Sequence, residues 1–164
     1  MSTRSCLALF CMLVISAPVF AAAPGTLNEI KDESSVTYQL RHPLHMMEAT
    51  SRDVTYRIEL DSTNKGIKSI SADVDVMTFN SGNSNRDSHA MEVIDAITYP
   101  DAIFSSTQVT QSGDSLSVAG KLTFHGVTKD IVASMVSKWS LHKLEVRGGF
   151  AVTLSGFKIE RPSL

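Results

Sequence analysis

The chain has 164 residues, 43% of them hydrophobic, with 15 basic against 17 acidic side chains and a net charge of −2. That length suits a single domain with a real core, and the scattered, near-balanced charge leaves no basic field to attract nucleic acid or an anionic membrane. The only cysteines, Cys6 and Cys11, sit at the N-terminus, so no cysteine is available further along for a disulfide framework, a thiolate nucleophile or a metal site.

Residues 1–21 read as an export signal. Arg4 precedes an apolar run over residues 6–14 that extends weakly to Phe20, and Val19 and Ala21 place small side chains before a cleavage point. The run is shorter than the roughly 20 residues that a bilayer span requires. Cleavage after Ala21 leaves residues 22–164, removes both cysteines and delivers the protein to the periplasm with no transmembrane segment. Residues 8–10, Ala-Leu-Phe, are too bulky and too early for a lipoprotein box before Cys11. Residues 22–33 are expected as a flexible N-terminal arm, and residues 34–164 as the folded domain.

Beyond the arm the hydrophobic period is two. Val36, Tyr38 and Leu40 alternate with polar residues, as do Val54, Tyr56, Ile58 and Leu60, then Ile70, Ala72, Val74 and Val76. The pattern returns at Leu116, Val118, Leu122 and Phe124, and again at Leu144, Val146, Phe150, Val152 and Leu154. Such alternation buries one face and wets the other, the habit of antiparallel sheets. Residues 61–66 (DSTNKG), 111–114 (QSGD) and His125-Gly126 supply the turns. Gly120, Gly148 and Gly149 fall inside strand patterns and mark bulges or sharp coiling. One stretch breaks the period: residues 85–95 are expected as a short helix, with Asp87 as N-cap and Met91, Ile94 and Ala90 as its apolar stripe. Tyr99-Pro100 ends it and a strand follows over residues 102–109. The pattern is all-β: an extended, lipocalin-like antiparallel barrel with one short helical insert.

Catalytic patterns are weak. His42 and His45 form an H-x-x-H pair, but Pro43 opposes a helix there, and no third ligand is apparent, so they read as loop or rim residues. No G-x-S-x-G elbow and no phosphate-binding glycine loop occur. Arg86-Asp87 reads as a salt-bridged helix cap, or as a polar clamp for a ligand head group. Tyr38, Tyr56, Phe104, Phe124 and Phe150 share the inward parity, and Met46, Met47, Met77 and Met91 cluster near the rim. Periodicity alone does not separate a packed barrel from a lined channel.

Several segments, in order, resemble the YceI-like family: residues 35–40 (SVTYQL) followed by His42-Pro43-Leu44-His45; 76–82 (VMTFNSG); 86–93 (RDSHAMEV); Tyr99-Pro100 with 103–106 (IFSS); and 120–129 (GKLTFHGVTK). The resemblance implies a periplasmic, non-enzymatic carrier with no required cofactor. Its apolar channel would hold an isoprenoid-type lipid or quinone. The expected channel lining is Tyr38, Tyr56, Phe79, Met91, Phe104, Phe124 and Phe150, with His42, His45 and Arg86 at a polar mouth and no metal. Ala49 stands where the family often has glycine. The resemblance also implies a further strand after the segment Arg161-Pro-Ser-Leu164. Without it the barrel seam would present an unpaired edge, which invites pairing with a second copy as a homodimer. The alternative is a structural or stress-related interaction protein whose barrel is filled.

Overall fold

The computed structural model describes residues 8–18, 25–30, 33–41, 46–62, 66–140 and 143–160; for 8–18 and Arg41 it describes the backbone. The strands are β1 (Ala8–Pro18), β2 (Thr26–Asn28), β3 (Ser35–Arg41), β4 (Met46–Ser51) and β5 (Val54–Leu60). Then come β6 (Ile67–Asp75), helix α1 (Ser84–Val93), β7 (Asp101–Ser112), β8 (Ser115–Phe124), β9 (Val127–Ser140) and β10 (Lys143–Thr153). They form one antiparallel sheet in the order β2-β5-β6-β7-β8-β9-β10-β1-β3-β4. The all-β, lipocalin-like expectation with one short helix holds, as a sheet curled into a half-barrel.

The alternation does what the sequence requires. On β5, Val54, Tyr56 and Ile58 are buried while Thr55 and Arg57 are exposed; on β8, Leu116, Val118, Leu122 and Phe124 face in. Burying each such aliphatic side chain is worth about 1.5–3 kcal/mol, and a one-residue slip would turn the whole set outward. On β7 the register shifts between Ser106 and Gln108. This bulge moves the inward parity from Phe104 to Val109, and the extra residue, Thr107, donates its hydroxyl to Ala119 O at 3.3 Å.

Curling brings the two ends of the sheet together. The Tyr56 hydroxyl on β5 donates to Ser35 O on β3 at 3.1 Å. Thr50 on β4 bridges Asn80, and the hydroxyls of Ser51 and Thr78 lie 2.6 Å apart. Glycines permit the curl. A Cβ on Gly148 would lie 2.2 Å from Ser134 O, and one on Gly120 2.6 Å from the Phe104 ring. His125 and Gly126 both have positive φ, +49° and +68°, as a tight two-residue hairpin requires.

Three features differ from the sequence reading. Asp87 does not cap the helix. Asn83 does, its side chain accepting from Arg86 N at 3.1 Å, so the helix starts at Ser84. Asp87 sits one turn in and accepts the backbone N–H of Ser81. Within the expected arm, Thr26–Asn28 pair with β5, Leu27 is buried, and Glu29 accepts from Tyr56 N. The edge of β10 expected as an open seam is covered: Ala8–Pro18, inside the segment read as an export signal, lies between β10 and β3 and pairs with both.

Candidate binding site

The inner face divides into a closed part and an open part. The closed part holds Tyr56, Ile58, Ile70, Val118, Leu144 and Val146, none of them measurably exposed. The open part exists because two paired strands separate. β10 pairs with β9 from Lys143 opposite Ser140 to Gly149 opposite Ser134, and no further. Beyond that point β9 stays with β8 as far as Val127 opposite Phe124, whereas β10 follows β1 as far as Thr153 opposite Ala8. The split leaves a groove of about 540 Å³. Its walls are Lys129, Ile131 and Val132 on one side and Ala151, Val152 and Thr153 on the other, with Phe157 beneath. Phe157 is buried against the Phe124 ring, 5.6 Å between centroids. The Lys129 ammonium lies 6.0 Å from the centroid of the Phe157 ring, a cation–π distance.

The expected lining residues fall into separate groups. Phe104 and Phe150 stack with centroids 6.4 Å apart, and Phe150 is half-buried beside the groove. Tyr38 and Phe79 meet edge to face at 5.1 Å. Register joins the groups, because Tyr38 and Phe150 both lie opposite Cys11 across β3, β1 and β10. Met91 is half-buried on α1 and packs against the core. Tyr56 belongs to the closed part, and Phe124 packs on Phe157 with only 9% exposure. His42 and His45 lie outside the described residues.

Around Tyr38 the surroundings are polar on one side. Burial pushes its phenol pKa above the usual 10.0; the Asp87 carboxylate adds to this and the Arg86 guanidinium opposes it. The phenol is therefore a protonated donor at any physiological pH, with a cation and an anion of α1 nearby. Ser81 Oγ, at the entry to α1, is shielded from solvent with no hydrogen-bond partner among the described residues. Such a hydroxyl is a local cost that a polar ligand group would relieve.

Sequence reasoning missed Ile131, Val152 and Phe157 as groove residues. Val152 was visible as an inward-parity residue, but nothing local marks the point at which β9 and β10 part.

The YceI-like domain model matches residues 28–163. The chain belongs to the YceI-like family. Among curated members, this YceI-like chain is 26% identical to Protein YceI of Escherichia coli O17:K52:H18 over 125 residues, which is 74% of the chain and 65% of that protein. It is 32% identical to a UPF0312 protein of Pseudomonas putida over 122 residues, 72% of the chain and 64% of that protein. It thus spans a little under two thirds of the length of the curated relatives it matches. Solved structures agree on the fold. Burkholderia cenocepacia BcnA superposes with a TM-score of 0.65 at 17% identity, covering 92% of this chain and 83% of that one. A Campylobacter jejuni YCEI protein gives 0.60 at 23% identity, covering 65% and 68%. Among the described residues, no helix is long and apolar enough to cross a membrane.

Proposed function

We propose that this YceI-like chain is a periplasmic, exported binding protein, not an enzyme, for a long-chain isoprenoid-type amphiphile such as a polyisoprenoid or an isoprenoid quinone. The observation that carries the reading is the groove where β9 leaves β10, with its half-buried apolar wall of Ile131 and Val152 and with Phe150 beside it. A packed barrel would close those residues into the core, whereas an apolar tail laid along them removes them from water. Each methylene so buried is worth about 0.8 kcal/mol, so a long tail binds without any charged contact. The polar end of the ligand would lie toward Tyr38, Arg86 and Ser81, where donors and a cation are available.

The test is mass spectrometry of protein purified from the periplasm, under native and denaturing conditions. The expected result is an extra mass, released by organic solvent, whose fragments repeat at the isoprene unit. Ile131→Asp or Val152→Asp should lower that lipid content strongly. Val136→Asp, at an exposed outer position (54%), should leave it unchanged. A clean apo mass that stays unchanged after incubation with isoprenoid quinones would refute the proposal.

A further inference from the structure

We propose that the Lys129 end of the groove is an anion station, through which the protein also takes single-chain amphiphiles whose head is an acid, either a carboxylate or a phosphate monoester. The proposal rests on the carrier reading above, because the tail would use the same groove. It adds a ligand class with its head at Lys129 and its tail running toward Phe150. Near Tyr38 the Arg86 cation and the Asp87 anion act together, so that end favours a neutral head.

The first observation is parity. On β9 the inward row runs through Val127, Lys129, Ile131, Ala133 and Met135. Ala133 and Met135 are buried, and Val127 and Lys129 stand opposite the buried Phe124 and Leu122 of β8. The neighbouring charges keep to the outer row. Lys121 and Asp130 pair there at 2.9 Å, and Glu145 and Arg147, which alternate with the buried Leu144 and Val146, pair with each other. Lys129 is thus a cation set on the apolar face of its strand.

The second observation is the position of its ammonium. Nζ lies 6.0 Å from the centroid of the Phe157 ring, at the floor of the groove. A Cβ on Gly156 would lie 3.2 Å from Lys129 Nζ and 3.2 Å from Thr153 Oγ1. The two polar tips therefore flank one spot, above a residue that has no side chain to fill it. The third observation is charge. Among the described residues no carboxylate pairs with Lys129; Asp130, its neighbour in sequence, is on the outer row with Lys121. A ring face attracts an ammonium without cancelling its charge. An acid head at that spot would pair with Nζ and accept from the Thr153 hydroxyl, both of them charge-assisted contacts.

The fourth observation is the apolar path that starts at Lys129. β9 rejoins β10 where Ser134 lies opposite Gly149, about 17 Å along the strand from Lys129. The half-buried Ile131 and Val152 line the way, and Phe150, stacked on Phe104 at 6.4 Å, stands at its inner end. A small polar anion would leave that wall wet, and a neutral lipid would leave the ammonium unpaired. An ionised head on a single apolar tail satisfies both.

Farnesol, farnesoic acid and farnesyl phosphate share one chain and differ in the head. Each is measured by equilibrium dialysis, below its critical micelle concentration and near neutral pH, against the delipidated full protein. At least one acid is expected to bind about tenfold more tightly than farnesol, the gain of one charged hydrogen bond. A gain by one acid alone assigns the head as carboxylate or phosphate, and a gain by both assigns the acid class. Lys129→Met should bring the acid-to-alcohol ratio close to one, whereas Lys129→Arg, which keeps the charge, should retain the preference. Lys121→Met removes a cation from the outer row of the adjacent strand and should leave the ratio unchanged. A general loss of stability would weaken acid and alcohol alike and would not move the ratio. The proposal is overturned if the preference survives Lys129→Met, if it is lost in Lys129→Arg, or if it is lost in Lys121→Met. Farnesol binding as tightly as both acids also overturns it and leaves the carrier reading intact, whereas no binding of any of the three chains takes the carrier reading down with it.

Discussion

Replacing Gly148 with alanine tests whether close backbone approach sets the point where β9 and β10 part. Gly148 has ordinary strand dihedrals, so alanine is allowed by its own backbone and loses less chain entropy on folding, a gain of about 0.4–1 kcal/mol. The added Cβ, however, would lie 2.2 Å from Ser134 O and 2.5 Å from Met135 Cα. These are backbone atoms that no rotamer change removes, so β9 must move away at the last residues that still pair with β10. Overpacking of this kind costs about 1–3 kcal/mol, and with a rigid neighbour the upper part of that range applies. The expected net loss is about 2 kcal/mol, or roughly 4–8 °C in melting temperature for a chain of this size. The single tryptophan, Trp139, lies on β9 opposite Leu144 and reports the transition by fluorescence in urea. Gly113→Ala, where φ is +58° and nothing lies within 4 Å of the added carbon, measures the dihedral penalty alone. An unchanged or higher midpoint for Gly148→Ala would refute the account of the split.

Other substitutions probe the closure of the sheet and its charges. Tyr56→Phe removes the hydroxyl that ties β5 to Ser35 O; a loss of about 1 kcal/mol in urea unfolding is expected, and no loss would mean that the contact does not hold the curl. Asn83→Ala should cost about 1 kcal/mol through the lost cap, whereas a larger effect from Asp87→Ala than from Asn83→Ala would restore Asp87 to the capping role. On β6, burial first, then Asp101 and Asp75, raise the Asp73 pKa above 3.8. The folded state therefore holds that proton more tightly than the unfolded state, so the contribution of Asp73 to stability is most favourable below pH 3.8 and is lost as the pH rises through the folded value. Asp73→Asn should accordingly raise the melting temperature at pH 7, by the equivalent of about 0.2–1 kcal/mol for a cross-strand like-charge contact. The gain should vanish below about pH 4, and a gain independent of pH would exclude charge as its cause.

The strands that could be read from sequence are those whose inward residues are large. β5, β6, β8 and β10 each set branched or aromatic side chains against polar ones over seven residues or more, and each forms where that pattern stands. β4 escaped notice because its buried positions are Ala49 and Ser51, too small and too polar to register as an apolar row. β2 has three residues, below the length at which alternation means anything. The helix start was misplaced because the apolar stripe at Ala90 and Met91 drew the cap to Asp87, while two earlier residues, Asn83 and Ser84, were equally able to begin a turn.

The binding site was less legible than the fold, and the reason is topological. Parity identified Phe104, Phe150 and Tyr38 as inward-facing, but parity is a property of one strand, and the groove is a property of two. It opens because β10 changes neighbours after Gly149, leaving β9 for β1 alone. No residue of β10 announces that choice, since the partner lies more than 130 residues away at Cys11. The same fact ties the groove to the N-terminal segment. As long as Ala8–Pro18 is in place, residues 150–153 are held on one side and the groove has a defined wall.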